Sequence, residues 1–317
     1  MDGVLLKGSK VVPGASEALK LLDERRISWI LMTNGGGISE SQRASVLTDK
    51  LKLKIDVEQI VQSHTPLKAL PGKESQTVLV IGGDQDNSRK VAEDYGFGRV
   101  LMPVDYVKTN GSIWPFHNRE LTTYGKFLDD LEDVKIDNIL VFNDPRDLGT
   151  DLQVISDVLN RNPNTKVIFS NDDWLWANDY QYPRFGQGMT RFLIESLYKR
   201  IHGKELKKTI LGKPTTIAYD FAHHVLLNRS IFLNSLGVPF KDVKLGEQVK
   251  DSHLRSVYMI GDNPASDIIG GFNYGFNTGL VRTGVYKDGD KLPCKPTIVG
   301  DDVYHVVSEA LKKMGLD

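Results

Sequence analysis

The sequence predicts an α/β protein: a doubly wound parallel core sheet carrying an inserted α/β cap domain. Three observations carry that reading. Short apolar runs alternate with amphipathic stretches along the chain, as in strands joined by crossover helices. Polar clusters occur beside Leu5 and just past Met32, Leu211 and Ile260, at or next to predicted strands, and ligands bind at the carboxyl ends of strands in such sheets. A block with strands and helices of its own separates the first and last portions.

Each element has a local reason. Residues 27–32 form an apolar run that stops at Thr33-Asn34-Gly35-Gly36-Gly37. Ser39 followed by Gln42 makes a capping box, so the spacing predicts a helix over 39–51. Residues 77–81 read as the next strand, ended by Gly82-Gly83. Strands at 138–142 and 166–170 flank a helix over about 148–160, and an amphipathic helix covers about 190–202. The last block brings an apolar run at 209–211, Gly212-Lys213-Pro214, a helix to about 226, a strand at 257–260 and Gly261-Asp262-Asn263-Pro264. Residues 235–253 are polar and rich in Gly and Lys, the composition of a surface insertion loop. The resulting division is core over 1–72, cap over 73–205 and core over 206–317.

Composition narrows the function. At 317 residues the length suits two domains, and 40% hydrophobic with 26% charged residues is a globular profile. A net charge of −1 argues against a nucleic-acid binder. No apolar run approaches the ~18 residues of a membrane span, so no membrane insertion is expected. The single Cys294 excludes a disulfide framework and a Cys-based zinc cluster.

Phosphoryl transfer needs a nucleophile, a metal, a fixed cation, hydrogen-bond donors and a proton donor. Thr33 and Asn34, with the amides of Gly35, Gly36 and Gly37, can donate to an anion, and glycine lets backbone approach it closely. Lys213 can supply the cation. Asp262 and Asp267 bracket a strand-to-helix turn, where carboxylate oxygens suit Mg²⁺. Asp2, in an Asp-Gly turn, can act as general acid and then base. Plainer alternatives exist for each: a capped turn, a solvated lysine, helix-capping acids, a surface acid. Their occurrence in this order, each associated with a strand, favours the functional reading. In the inserted block, Asn171, Asp172 and Asp173, with Trp174, Trp176, Tyr180, Tyr182 and Phe185, can form a lid surface that reads the leaving group; aromatic packing within the cap is the alternative. His223 and His224 lack a matching third ligand and read as structural, and His64 has no assignable role.

The order Asp-Gly-Val-Leu, Thr-Asn, Gly-Lys-Pro and Gly-Asp-Asn-x-x-x-Asp resembles the haloacid dehalogenase superfamily of aspartyl phosphatases, subclass IIA, over essentially the whole chain. Gln62-Ser63-His64-Thr65-Pro66, Val141-Phe142-Asn143-Asp144-Pro145 and Tyr219-Asp220-Phe221-Ala222-His223-His224 are similar to the cat eye syndrome critical region protein 5-like hydrolases. The resemblance implies a Mg²⁺-dependent phosphomonoester hydrolase in mitochondria, acting on a small phosphorylated metabolite through an aspartyl-phosphate. A homodimer through the cap is a further expectation. By the same match, Asp2 is the acid/base and its carbonyl a metal ligand; Thr33, Asn34, Gly35 and Lys213 hold phosphate; Asp262 binds Mg²⁺ directly and Asp267 supports it.

Met1-Asp2-Gly3-Val4-Leu5-Leu6 resembles the back half of an Asp-x-Asp-Gly-Val-Leu motif whose first aspartate, the nucleophile, has no counterpart here. The expectation is a sequence boundary drawn at an internal Met, with the central strand truncated and the literal chain inactive. A catalytically dead relative that binds a phosphorylated ligand or a protein partner through its cap is the alternative. A phosphomutase is less supported, because nothing in the cap marks a bisphosphate cycle. Unpaired buried backbone groups cost ~1–3 kcal/mol each against a total stability of ~5–15 kcal/mol. The 317-residue chain is therefore expected to melt broadly or aggregate; a cooperative, high-midpoint transition in calorimetry contradicts this.

Overall fold

The computed structural model describes residues 1–176, 180, 182, 184–234 and 243–316. The first portion runs β1 (Leu6–Lys7), β2 (Lys10–Val11), α1 (Ala15–Glu24), β3 (Leu31–Met32), α2 (Glu40–Leu51) and β4 (Ile60–Val61). The middle runs β5 (Thr77–Ile81), α3 (Asn87–Asp94), β6 (Arg99–Leu101), α4 (Pro103–Thr109), β7 (Asn138–Val141), α5 (Leu148–Arg161), β8 (Lys166–Phe169), β9 (Leu175–Trp176), β10 (Arg184–Phe185), α6 (Gln187–His202) and β11 (Lys208–Ile210). The last runs α7 (Thr216–Asn234), β12 (Tyr258–Gly261), α8 (Ile269–Tyr274), β13 (Asn277–Val281), β14 (Ile298–Gly300) and α9 (Val303–Lys313).

The inserted sheet is five-stranded and parallel, in the order β11-β8-β7-β5-β6. Its inner strands β5, β7 and β8 are apolar after their first residue because both faces are covered. Leu79, Ile81, Ile139, Val141, Val167 and Phe169 point into one cluster with residues of α5 and α6. Their neighbours Val78, Val80, Leu140 and Ile168 point into the other, with Val91 and Ala92 of α3 and also Leu67 and Ile217. Those last two come from the flanking portions, so the second face packs the inserted sheet onto the rest of the molecule. β11 lies just past the expected boundary at 205 yet pairs with β8, so the inserted sheet extends to Ile210.

Helix starts follow their caps. Ser39 accepts from the Gln42 amide and Gln42 reaches back, which fixes α2 where the capping box predicts it. α6 begins at Gln187 and α7 continues to Asn234, both longer than their periodicity suggests. Of the expected loop, 235–242 lies outside the described residues, and 243–253 contains turns but no helix or strand.

The core sheet comes in two pieces. β3 pairs in parallel with β4, and β12-β13-β14 form a parallel sheet. Between them lies an apolar cavity of about 640 Å³, with Ile30, Leu31 and Met32 on one side and Tyr258, Met259 and Ile260 on the other. Among the described residues no strand bridges the pieces. The expected strand over 27–32 is correspondingly short: only Leu31 and Met32 find partners, in Ile60 and Val61. Residues preceding them line the cavity and make no ladder.

One buried acid makes the inserted domain pH-sensitive. Asp147 caps α5, and Asp151 in the next turn is buried; burial first, then the Asp147 charge, pushes its carboxyl up to about 8 from 3.8. The folded chain thus keeps a proton that the unfolded chain loses above its ordinary value, so this contribution falls as pH rises from about 4 to 8. Asp151→Asn is expected to raise the unfolding midpoint at pH 8 and to change it little at pH 4; an equal effect at both contradicts the assignment.

Candidate active site

The site assembles where β3, β11 and β12 end. Thr33 follows β3, its amide donating to the Val61 carbonyl at 2.9 Å. Its Oγ1 accepts the Gly35 amide at 3.1 Å, which places a buried hydroxyl at the start of the glycine loop.

Asn34 spends its whole amide on neighbours. Nδ2 donates to the Lys213 carbonyl and to Asp173 Oδ1, both at 3.0 Å, and Oδ1 accepts the Lys213 amide at 2.9 Å. Asn171 Nδ2 donates to the Asn34 carbonyl at 2.9 Å. Gly212 permits this closeness, since a Cβ there would lie 2.8 Å from Asn34 Oδ1 and 2.7 Å from the Ser170 carbonyl.

Lys213 is buried and its Nζ forms an ion pair with Asp267. Asp267 also accepts the Asn263 amide through Oδ2 at 3.1 Å. The Tyr219 hydroxyl sits under this turn, within 3.1 Å of the Asp267 carbonyl. Asp262, just past β12, accepts the Val285 amide through Oδ2 at 2.9 Å, and Gly3 and Gly284 press against its carboxylate with no room for a Cβ. The buried Met1 α-amino group faces Lys213, Asp267 and Asp262.

Burial, and then the Asp267 charge, raises the Asp262 carboxyl above its usual range. Burial, and then Lys213, lowers the Met1 amine. Asp173 is likewise raised by burial, against the pull of Asn34 and Lys213. Two carboxylates thus crowd one lysine, an excess of negative charge that a divalent cation relieves. All side-chain donors there are hard oxygens. No group of three His, Cys, Asp or Glu residues able to hold a metal occurs among the described residues. Backbone carbonyls or water would have to complete a shell.

Of the residues chosen from sequence, Thr33, Asn34, Gly35, Lys213, Asp262, Asp267 and Asn171 come together. Asp2 stands at their edge with an exposed side chain. Asp172 does not join them: it forms a two-point ion pair with Arg191 of α6, at 2.6 and 3.0 Å. The residue that does is Asp173. The signal was the period of two past a strand end, which sends Asn171 and Asp173 one way and Asp172 the other. Trp174, Trp176, Tyr182 and Phe185 lie exposed on and beside the β9–β10 hairpin. His223 contacts the Ser252 hydroxyl at 3.1 Å and His224 the Glu247 carbonyl at 3.0 Å, both local structural bonds.

A family model for haloacid dehalogenase-like hydrolases matches residues 1–98, and a HAD-hydrolase-like model matches 210–306. A mitochondrial hydrolase of Saccharomyces cerevisiae is 44% identical over 334 residues, covering 99% of this chain and 94% of the relative. The chain belongs to the haloacid dehalogenase-like hydrolases. The stretch between the two matched regions is largely the inserted sheet. A cardiolipin synthase/mitochondrial hydrolase fusion protein of Schizosaccharomyces pombe is 34% identical over 99% of this chain, which spans about half (52%) of that longer protein. Two solved structures share the haloacid dehalogenase-like fold at lower identity. A p-nitrophenyl phosphatase from Archaeoglobus fulgidus matches with TM-score 0.63 and 17% identity, over 97% of this chain and 96% of its own. NagD from E. coli matches with TM-score 0.62 and 20% identity, over 96% and 95%. No described helix of this hydrolase-family chain is long and apolar enough to cross a membrane.

Proposed function

We propose that this hydrolase is a Mg²⁺-dependent phosphomonoesterase acting on a small phosphorylated metabolite. The observation that carries the reading is the buried Lys213–Asp267 pair in the field of Asp262, with the Thr33-Asn34 turn bonded through Asn34 to the Lys213 backbone, at the ends of three strands. Thr33 and the glycine-loop amides receive phosphate oxygens, and Lys213 balances their charge. Asp262 and the Asp2 carbonyl would hold Mg²⁺, with Asp267 in support; the ion would neutralise the phosphate when bound. Asp2, exposed at the rim, protonates the leaving group and then accepts a proton from water.

Every acid in the buried set has another duty: Asp267 pairs with Lys213, and Asp262 is reserved for the metal. The aspartyl-phosphate route needs a further carboxylate as its nucleophile. The 317-residue chain is therefore proposed to bind phosphate without turning esters over. Binding without catalysis is the alternative role for the protein as a whole. The name of the yeast relative supports a mitochondrial setting. Exposed Trp174, Trp176, Phe185 and Phe192 on the cap suit contact with a second copy.

The test has two arms. Inorganic phosphate is expected to bind the 317-residue chain in the presence of Mg²⁺. Appending an apolar strand ending in Asp ahead of Met1 is expected to give p-nitrophenyl phosphate turnover, reduced at least ~100-fold by Asp262→Asn or Lys213→Ala. Equal rates in all three extended forms contradict these assignments.

A further inference from the structure

We infer that His64 is a positioning residue: as the Nδ1–H tautomer it holds the glycine loop through Gly37 and ties that loop to Tyr95 of the inserted domain, and through Tyr95 to Glu40 of α2. The inference rests on the reading of that loop as the phosphate cradle, although the bonds themselves do not.

His64 is fully buried at 0% exposure and stacks on Phe142, ring centres 4.9 Å apart and planes within 8°. The Gly37 amide donates to its Nε2 at 3.2 Å, so Nε2 is an acceptor without a proton. In a neutral imidazole the proton then sits on Nδ1. Nδ1 lies 2.8 Å from the Tyr95 hydroxyl, whose own proton goes to Glu40 Oε1 at 2.5 Å. Each hydrogen bond therefore has a fixed direction, from Gly37 through His64 and Tyr95 to a charged acceptor.

Glu40 is well suited to end the relay. It sits in the first turn of α2, accepts the Thr65 hydroxyl at 2.7 Å and pairs with Lys68 at 3.1 Å. Burial raises its carboxyl, but Lys68, His64, Tyr95 and Thr65 together bring it below its ordinary value. The loop lies flat on the imidazole: a Cβ on Gly36 would come within 3.0 Å of Nε2 and 3.2 Å of the Phe142 carbonyl. Tyr95 closes α3 of the inserted domain, so the ring links that domain to the Gly37 amide, beside the direct bond from Asn143 Nδ2 to the Gly36 carbonyl at 2.9 Å.

The charge state fits this duty. Burial first, then Lys68 and Arg43, outweigh Glu40 and push the imidazole down to about 4 from 6.5. The groups facing it are Glu40 and Arg43 of α2, Lys68 beyond Thr65, and Tyr95. A second proton on the ring would point at the Gly37 amide. Because the unfolded chain takes that proton below about 6.5 and the folded chain only near 4, this group's contribution to folding stability is lost as pH falls through this window.

The test uses the whole 317-residue chain with His64→Gln, which keeps an acceptor for Gly37, His64→Leu, which does not, and Tyr95→Phe, which cuts the relay beyond the ring. Ring ¹⁵N shifts are expected to report the Nδ1–H tautomer. Gly37 amide exchange is expected to quicken, and inorganic phosphate affinity to fall, about tenfold in His64→Leu, the effect of one lost hydrogen bond. His64→Gln is expected to restore most of both, and Tyr95→Phe to fall between. An Nε2–H tautomer, or unchanged Gly37 protection in His64→Leu, overturns the inference. If phosphate fails to bind the parent chain while Gly37 protection still depends on His64, the phosphatase reading falls and the positioning role stands.

Discussion

One side-chain amide sets the geometry of the site. Asn34 bonds both backbone groups of Lys213 and the carboxylate of Asp173, while its own carbonyl takes the Asn171 amide. Three segments far apart in sequence are thereby held in one register: the glycine loop, the Lys213 loop and the end of β8. The partners are backbone or short side chains, so the fit tolerates little play, and the lysine needed for phosphate charge is aimed before any ligand arrives. This also explains why Gly212 precedes the lysine, for a side chain there would meet Asn34.

The electrostatics follow from that register. Lys213 is drawn to Asp267, which leaves Asp262 in a buried position with a like charge beside it, and the Val285 amide that it accepts does not offset the two. A cation resolves the imbalance, and the Met1 amine lying among the same groups does so poorly, because burial and Lys213 disfavour its charged form. The apolar cavity between β3 and β12 opens beside Met1. The strand edges that face the cavity and the unbalanced pair of acids thus lie at the same place.

Much of this was legible in the sequence because it is local. The capping box fixed α2, apolar runs of four or five residues located β5, β7 and β8, and the short motifs around Thr33, Lys213 and Asp262 identified the residues that converge. What could not be read depends on pairing. Nothing in residues 27–32 says that only Leu31 and Met32 find a partner, or in 208–210 that the strand joins the inserted sheet. Among Asn171, Asp172 and Asp173 the sequence does not separate the acid that meets Arg191 from the one that meets Asn34, since that depends on which face follows β8. His64 carried no signal, because its partners Gly37 and Tyr95 lie 27 and 31 residues away.

The central claim is that Asn34 acts through Lys213. A double-mutant cycle on inorganic phosphate affinity tests it most directly, with Asn34→Ala, Lys213→Met and both together in the presence of Mg²⁺. Each single change is expected to weaken binding, and the double variant to bind no worse than Lys213→Met alone. Losses that simply add would mean that Asn34 touches phosphate on its own account, and would contradict the clamp.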